Sequence, residues 1–223
     1  MRTFERTHPW ISFRLALQKA GPHLWMLLGE AASKCEHIAG VPLRPALAQS
    51  LHRLYLAKGV LATTAIEGNT LTEQEVLRHL EGKLRLPPSK EYLVQEVDNV
   101  VEACKQIGDE ARAGNLALTP ETIKRFNRQV LKNLTVEEDV VPGSFRNHSV
   151  LVGNVYRGAP AVDCDLLLER MCDWLNGPDF QAAAGMEIVY ALIKAVVAHV
   201  YLAWIHPFGD AMAAPPGSLS FKF

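Results

Sequence analysis

An excess of either charge is missing from this chain: 23 Lys and Arg stand against 24 Asp and Glu, a formal net charge of -1. Duplex-binding surfaces draw much of their affinity from clustered cations, which would tilt that balance, so nucleic acid is not an expected partner. An uninterrupted apolar run of the roughly 18 to 20 residues that cross a bilayer is missing too. The nearest approach, Tyr190 to Ile205, contains Lys194 and His199. It reads as a buried core helix with His199 as a hydrogen-bonded core histidine, and no membrane association is expected. The opening Met1-Arg2-Thr3-Phe4-Glu5-Arg6 has no apolar stretch with a small-residue cleavage site after it, which points to a cytoplasmic protein. Cysteine is scarce: Cys35, Cys104, Cys164 and Cys172 form no Cys-x-x-Cys pair. That spacing argues against structural zinc and leaves reduced core thiols as the reading. Internal repeats and low-complexity tracts are absent as well.

What is present suits a globular chain. Hydrophobic residues make up 48% and charged residues 21% of 223 positions, enough for a large core in one domain with a helical extension or in two small domains. Helical punctuation dominates. Pro22 opens an apolar-periodic segment through Leu24, Leu27, Leu28, Ala31 and Cys35, with Gly40 as its stop. Leu43 to Lys58 reads as a second helix ended by Gly59, followed by Val60 to Glu67 and a Gly68-Asn69 turn. Thr72 and Glu75 have capping-box spacing, which predicts a helix from Glu73 to about Lys83. Leu86-Pro87-Pro88 is the clearest linker, after which Ser89 is placed to cap a long helix through Val94, Val97, Val101 and Cys104. Thr119-Pro120 starts another. Between Val140 and Asp163, glycines at 143, 153 and 158 among valines predict a hairpin, and helices follow over Cys164 to Leu175 and Ala182 to Ile205. The expected fold class is all-α, an orthogonal helical bundle with one β-hairpin.

The most informative stretch is Ala203-Trp204-Ile205-His206-Pro207-Phe208-Gly209-Asp210. The His-Pro-Phe step ends an apolar helix and turns the chain, setting an imidazole at a loop mouth with a carboxylate four positions on. By itself a histidine before proline is more often a surface loop residue, and one carboxylate rarely makes a magnesium site without substrate oxygens. Glu67 beside Gly68-Asn69 could equally just end a helix. His148 and Arg146 read by default as solvated turn residues, Trp174 and Trp204 as packing residues.

Taken together these stretches resemble the Fic/Doc family, whose core motif is His-Pro-Phe-x-Asp/Glu-Gly-Asn-Gly-Arg-x-x-Arg. Thr63-Thr64-Ala65-Ile66-Glu67-Gly68-Asn69 is similar to the family's inhibitory-helix motif, Pro142-Gly143-Ser144-Phe145-Arg146 with Val150-Leu151-Val152-Gly153 to its flap, and Asp173-Trp174-Leu175-Asn176 to the helix after the flap. The resemblance spans roughly residues 40 to 210. It implies transfer of AMP from ATP to a Ser, Thr or Tyr hydroxyl of a target protein, with His206 as the general base and Asp210 holding Mg2+ through the nucleotide phosphates. Pro207 and Phe208 take structural roles, and Thr63, Glu67, Gly68 and Asn69 an inhibitory one. Val150, Leu151 and Val152 become the strand on which a target docks. A homo-oligomer is compatible with the sequence.

The pattern then breaks. Asp210 is followed by Ala211-Met212-Ala213-Ala214-Pro215-Pro216-Gly217, where the resemblance calls for glycine amides that cradle phosphate at a helix start and an arginine that grips it. Inserting one G after the Asp codon turns Ala211 and Ala213 into glycine whatever codons wrote them. It also permits asparagine between them, with arginine next and again three codons later. The expectation is therefore a frameshifted Fic-type bundle that lacks its C-terminal core helices. Residues 1–88 form an N-terminal helical region with the inhibitory motif at 63–69. Residues 89–210 form the core, with the flap at about 140–162 and the motif start at 206–210, and 211–223 an aberrant tail. Both ATP and Mg2+ binding should suffer, leaving little or no transfer activity. The alternative is a non-catalytic regulatory or binding module of the same fold.

Overall fold

The computed structural model describes residues 2–66, 68–152 and 155–209. Helices dominate them: α1 (Thr3–Thr7), α2 (Pro22–Gly40), α3 (Pro45–Ile66), α4 (Glu73–Leu80), α5 (Glu91–Arg112), α6 (Pro120–Val130), α7 (Cys164–Leu175) and α8 (Glu187–Ile205). Between α6 and α7 lies an antiparallel hairpin of β1 (Leu151–Val152) and β2 (Tyr156–Arg157), in register Leu151 with Arg157 and Val152 with Tyr156. The paired strands are far shorter than the Val140 to Asp163 stretch suggested.

Side-chain caps account for the starts of α4 and α6. At α4 the Thr72 hydroxyl accepts from Glu75 N at 3.3 Å while the Glu75 carboxylate accepts from Thr72 N at 2.8 Å, the reciprocal capping box. Thr119 caps α6 through Thr122 N, with Pro120 in the first turn. Ser89 does not cap α5, because Pro88–Lys90 forms a 3-10 turn and Lys90 takes the cap position. Gly59 does not end a helix: α3 runs through it, anchored by Ala57 and Val60 at 0% and 1% exposure on either side. A lone glycine costs a helix only about 1 kcal/mol, which that burial outweighs. α8 begins at Glu187 rather than Ala182, since Gly185 adopts a left-handed φ of 82°.

Two clusters hold the molecule together. One gathers Phe4 and Ile11 from the N-terminal segment with Leu167, Leu168 and Leu175 of α7 and Val189, Ile193, Tyr201 and Ile205 of α8. The other packs Ala57 and Val60 of α3 and Val76 of α4 against Leu93, Val97 and Val101 of α5. Polar ties join α5 to α6: Asn99 Nδ2 donates to Val130 O and Lys132 O, and Arg125 bonds both oxygens of Glu110 at 2.6 Å.

Several sequence-based expectations about burial need correction. No residue of α2 is buried; Leu28 and Trp25 lean on the first cluster while Leu24 and Leu27 face solvent. α8 is not a fully buried core helix. It buries one stripe and leaves Val196 and His199 exposed, so His199 is not a core histidine. By length and composition it is the one helix among the described residues apolar enough to cross a membrane. Cys164 and Cys172 are buried thiols, with burial raising Cys172 to a pKa of about 11, but Cys35 and Cys104 are exposed.

Candidate active site

His206 is the first residue beyond α8. Its N–H closes the helix on Leu202 O at 2.8 Å, and its backbone sits in the left-handed region at φ 46° and ψ 63°. That is the position where helices ordinarily place glycine, and Pro207 follows. Pro207 is buried, and the Phe208 ring packs on Phe145 with centroids 5.4 Å apart. Lys124 of α6 caps the Phe145 ring at 4.1 Å.

The residue that organises this loop is Arg146, which is not the solvated turn residue expected from the sequence. It is 5% exposed. Its Nε donates to His206 O at 2.6 Å, its Nη1 to His148 O, and its Nη2 to Ala159 O and Ile205 O. Burial pushes its guanidinium below the usual arginine range. Among the described residues no carboxylate pairs with it; the carbonyl end of α8 offsets the burial, carrying the partial negative charge of a helix C-terminus. The first cluster also reaches the hairpin from behind. His8 Nε2 donates to Arg157 O at 2.9 Å, its ring meets Tyr156 edge-on, and buried Asp163 accepts from Phe4 N. Sequence reasoning found neither His8 nor Asp163, since nothing local to residues 2–11 signals a partner 150 positions away.

The flap residues divide. Val150 is buried at 6% exposure, whereas Leu151 is exposed and Val152 partly so. His148 lies 3.2 Å from Asp139. Trp174 and Trp204 pack against Tyr201, as expected of packing residues.

At the other candidate element, Thr63 is exposed on α3 and its hydroxyl donates to Gly59 O. Gly68 has φ 94°, with bonds from Gly68 N to Ala65 O and from Asn69 N to Thr64 O, so α3 ends in a Schellman closure. Asn69 is 6% exposed and fully engaged: its amide donates to Leu93 O and to Glu96 of α5 at 2.7 Å, and its oxygen accepts from Leu71 N. Buried Glu96 was not foreseen. Glu67, assigned the inhibitory role, and Asp210, the candidate metal ligand, lie outside the described residues, as does the 211–223 tail. Among the described residues no group of three His, Cys, Asp or Glu could hold a metal.

With this geometry in view, the model of the Fic/DOC family matches residues 117–211, from α6 through the His206 turn. Over those residues the chain carries a Fic/DOC domain. A protein adenylyltransferase Fic of Nematostella vectensis is 28% identical over 148 residues, 66% of this chain and 32% of that protein. The chain thus spans about a third of that relative. Among solved structures, a Fic family protein from Desulfovibrio desulfuricans superposes with a TM-score of 0.66 at 22% identity, covering 86% of this chain and 55% of the other. A Fic domain containing signaling protein from Bacteroides thetaiotaomicron gives 0.64 at 22% identity, covering 82% and 67%. At that identity the superpositions speak to the Fic fold alone. The mostly helical fold with one small hairpin is the Fic fold expected from the sequence.

Proposed function

We propose that this chain is built on the protein adenylyltransferase plan and has little or no transfer activity as it stands. In that plan a target hydroxyl attacks the α-phosphorus of ATP, the bond to the bridging oxygen breaks, pyrophosphate leaves, and the hydroxyl proton passes to His206. Phosphoryl-type transfer depends on positioning and on neutralising charge. His206 supplies the proton acceptor and Asp210 one carboxylate for Mg2+, which would need nucleotide oxygens to complete its shell. The observation that carries the reading is the run Ala211-Met212-Ala213-Ala214 directly after Asp210. It offers neither the paired glycines of an anion cradle nor an arginine fork.

The same gap removes the partner expected for Glu67, so Thr63 to Asn69 is a brake with no arginine to act on. A single missing base is the simplest cause, and the nucleotide sequence at codon 210 tests it. The activity reading is tested with labelled ATP, Mg2+ and cell lysate: the expected result is no transfer above a His206→Ala control, and strong His206-dependent labelling overturns it.

A second reading, a non-catalytic binding module, is favoured by the way Arg146 holds the His206 turn using only residues up to 207. Calorimetric titration with ATP and Mg2+ separates the two. Heat lost on His206→Ala supports a remnant nucleotide site, and none supports the module.

A further inference from the structure

Four consecutive carbonyls at the end of α8 are each held by a donor from the hairpin region. Trp204 O accepts from the Tyr156 hydroxyl at 2.7 Å, Ile205 O from Arg146 Nη2 at 3.3 Å, His206 O from Arg146 Nε at 2.6 Å, and Pro207 O from Arg146 N at 2.9 Å. A helix end normally leaves such groups to water or to a glycine closure. Here two residues that bracket β1 and the start of β2 bind the whole sequence of carbonyls on both sides of the imidazole.

The need for such a clamp lies in the backbone of His206. A left-handed residue with a β-carbon is strained, and a following proline restricts it further. Strained conformations of this kind persist where surrounding structure over-determines them. A third contact completes that enclosure. Gly158, just past β2, packs so closely that a β-carbon there would stand 3.0 Å from Arg146 Nη2 and 3.1 Å from the His206 β-carbon.

We infer that Arg146 and Tyr156 are positioning residues that set the His206 imidazole at the mouth of the site. This rests on the reading of His206 as the proton acceptor. Arg146 acts through the carbonyl of His206 itself and those flanking it. Tyr156 acts two residues earlier, through the Trp204 carbonyl, and the His8 ring packs nearly perpendicular to it. Both act through backbone carbonyls; fixing φ and ψ on both sides of the α-carbon fixes the direction in which the side chain leaves the backbone.

The test uses the full chain with 13C,15N-labelled histidine, the His206 ring signal being identified by its loss in His206→Asn. Tyr156→Phe removes one hydroxyl, and Arg146→Lys keeps the charge but loses the fork. Thr119→Ala, which uncaps α6 away from the loop, is the control for general loosening. The expected result is a displaced His206 ring signal in both loop variants, a several-fold change in the rate at which diethyl pyrocarbonate modifies His206, and neither effect in Thr119→Ala. An unmoved His206 signal in Tyr156→Phe and Arg146→Lys overturns the inference, as does an equal displacement in Thr119→Ala. If Arg146→Lys does not fold, Tyr156→Phe decides alone. Neither readout asks for AMP transfer. An inert chain therefore leaves the inference standing, and an unmoved ring signal sinks it whatever the chain does with ATP.

Discussion

Three long helices of this molecule end in left-handed residues, α3 and α5 on glycine and α8 on histidine. α3 closes on Gly68 at φ 94°, and α8 on His206 at φ 46°. At Gly68 the backbone conformation carries no steric penalty, and nothing lies within 4 Å of where a β-carbon would be. At His206 the penalty is accepted, and a buried arginine is committed to holding the turn. Each turn is also fixed from another element, Asn69 by Glu96 of α5 and the His206 carbonyl by Arg146 before the hairpin. The helix end at Gly68 turns without strain; the one at His206 carries strain and a clamp.

Removing the clamp should produce the largest effect. Arg146→Met leaves several buried carbonyls without donors and is expected to lower stability by about 3 kcal/mol or more, read from the midpoint of urea unfolding. At the other turn, Asn69→Ala loses bonds to Leu93 O, Glu96 and Leu71 N, with an expected cost of about 2 kcal/mol. The comparison breaks if that order reverses, because the His206 turn would then be the less strongly held of the two.

The part of this comparison that was legible in the sequence is the part that is local. Thr72 with Glu75 and Thr119 with Pro120 announce helix starts because the bonds span three residues, and the structure has both. Gly68-Asn69 reads as a turn for the same reason. Arg146 and Glu96 are invisible locally, since their partners lie 60 and 27 positions away and an isolated charge defaults to solvent. Gly59 misled because punctuation by glycine is weak against two buried neighbours. The exposure of His199 is hidden in the sequence because the run around it is apolar on every side, whereas α8 buries only the stripe of Val189, Ile193, Tyr201 and Ile205.

A pair of opposite substitutions sharpens the contrast. His206→Gly relieves about 1 kcal/mol of strain, since glycine tolerates the left-handed backbone that histidine resists, and it also removes the histidine's own interaction; the expected net effect is a small gain in stability. Gly68→Ala should lower stability by about 1 kcal/mol, entirely through the backbone. Thermal or urea unfolding of the two variants beside the parent checks both signs. If His206→Gly destabilises, side-chain contacts of the histidine outweigh its strain, and the claim that the turn is kept for chemistry fails.

The smallest effect concerns the tie between the two regions. Glu110 of α5 meets Arg125 of α6 through two bonds of 2.6 Å, joining the helix that fixes Asn69 to the first helix of the matched Fic domain. The Arg125 hydrogen bonds, more than its charge, hold the Glu110 carboxyl below its ordinary value of 4.5, and the same bonds raise Arg125. A carboxyl whose folded pKa is depressed contributes stability that is fully present above the unfolded value and is lost as pH falls through the folded one. The parent should therefore exceed Glu110→Gln in stability by a constant margin at neutral pH. That margin should shrink only once the pH drops below the ordinary carboxylate value. Because the pair is open to solvent the margin is small and should shrink further with added salt. Urea unfolding of both proteins across that range gives the margin directly. A margin that stays flat into acid would mean that Asn99 and apolar packing, rather than this ion pair, couple the Gly68 turn to the domain that carries His206.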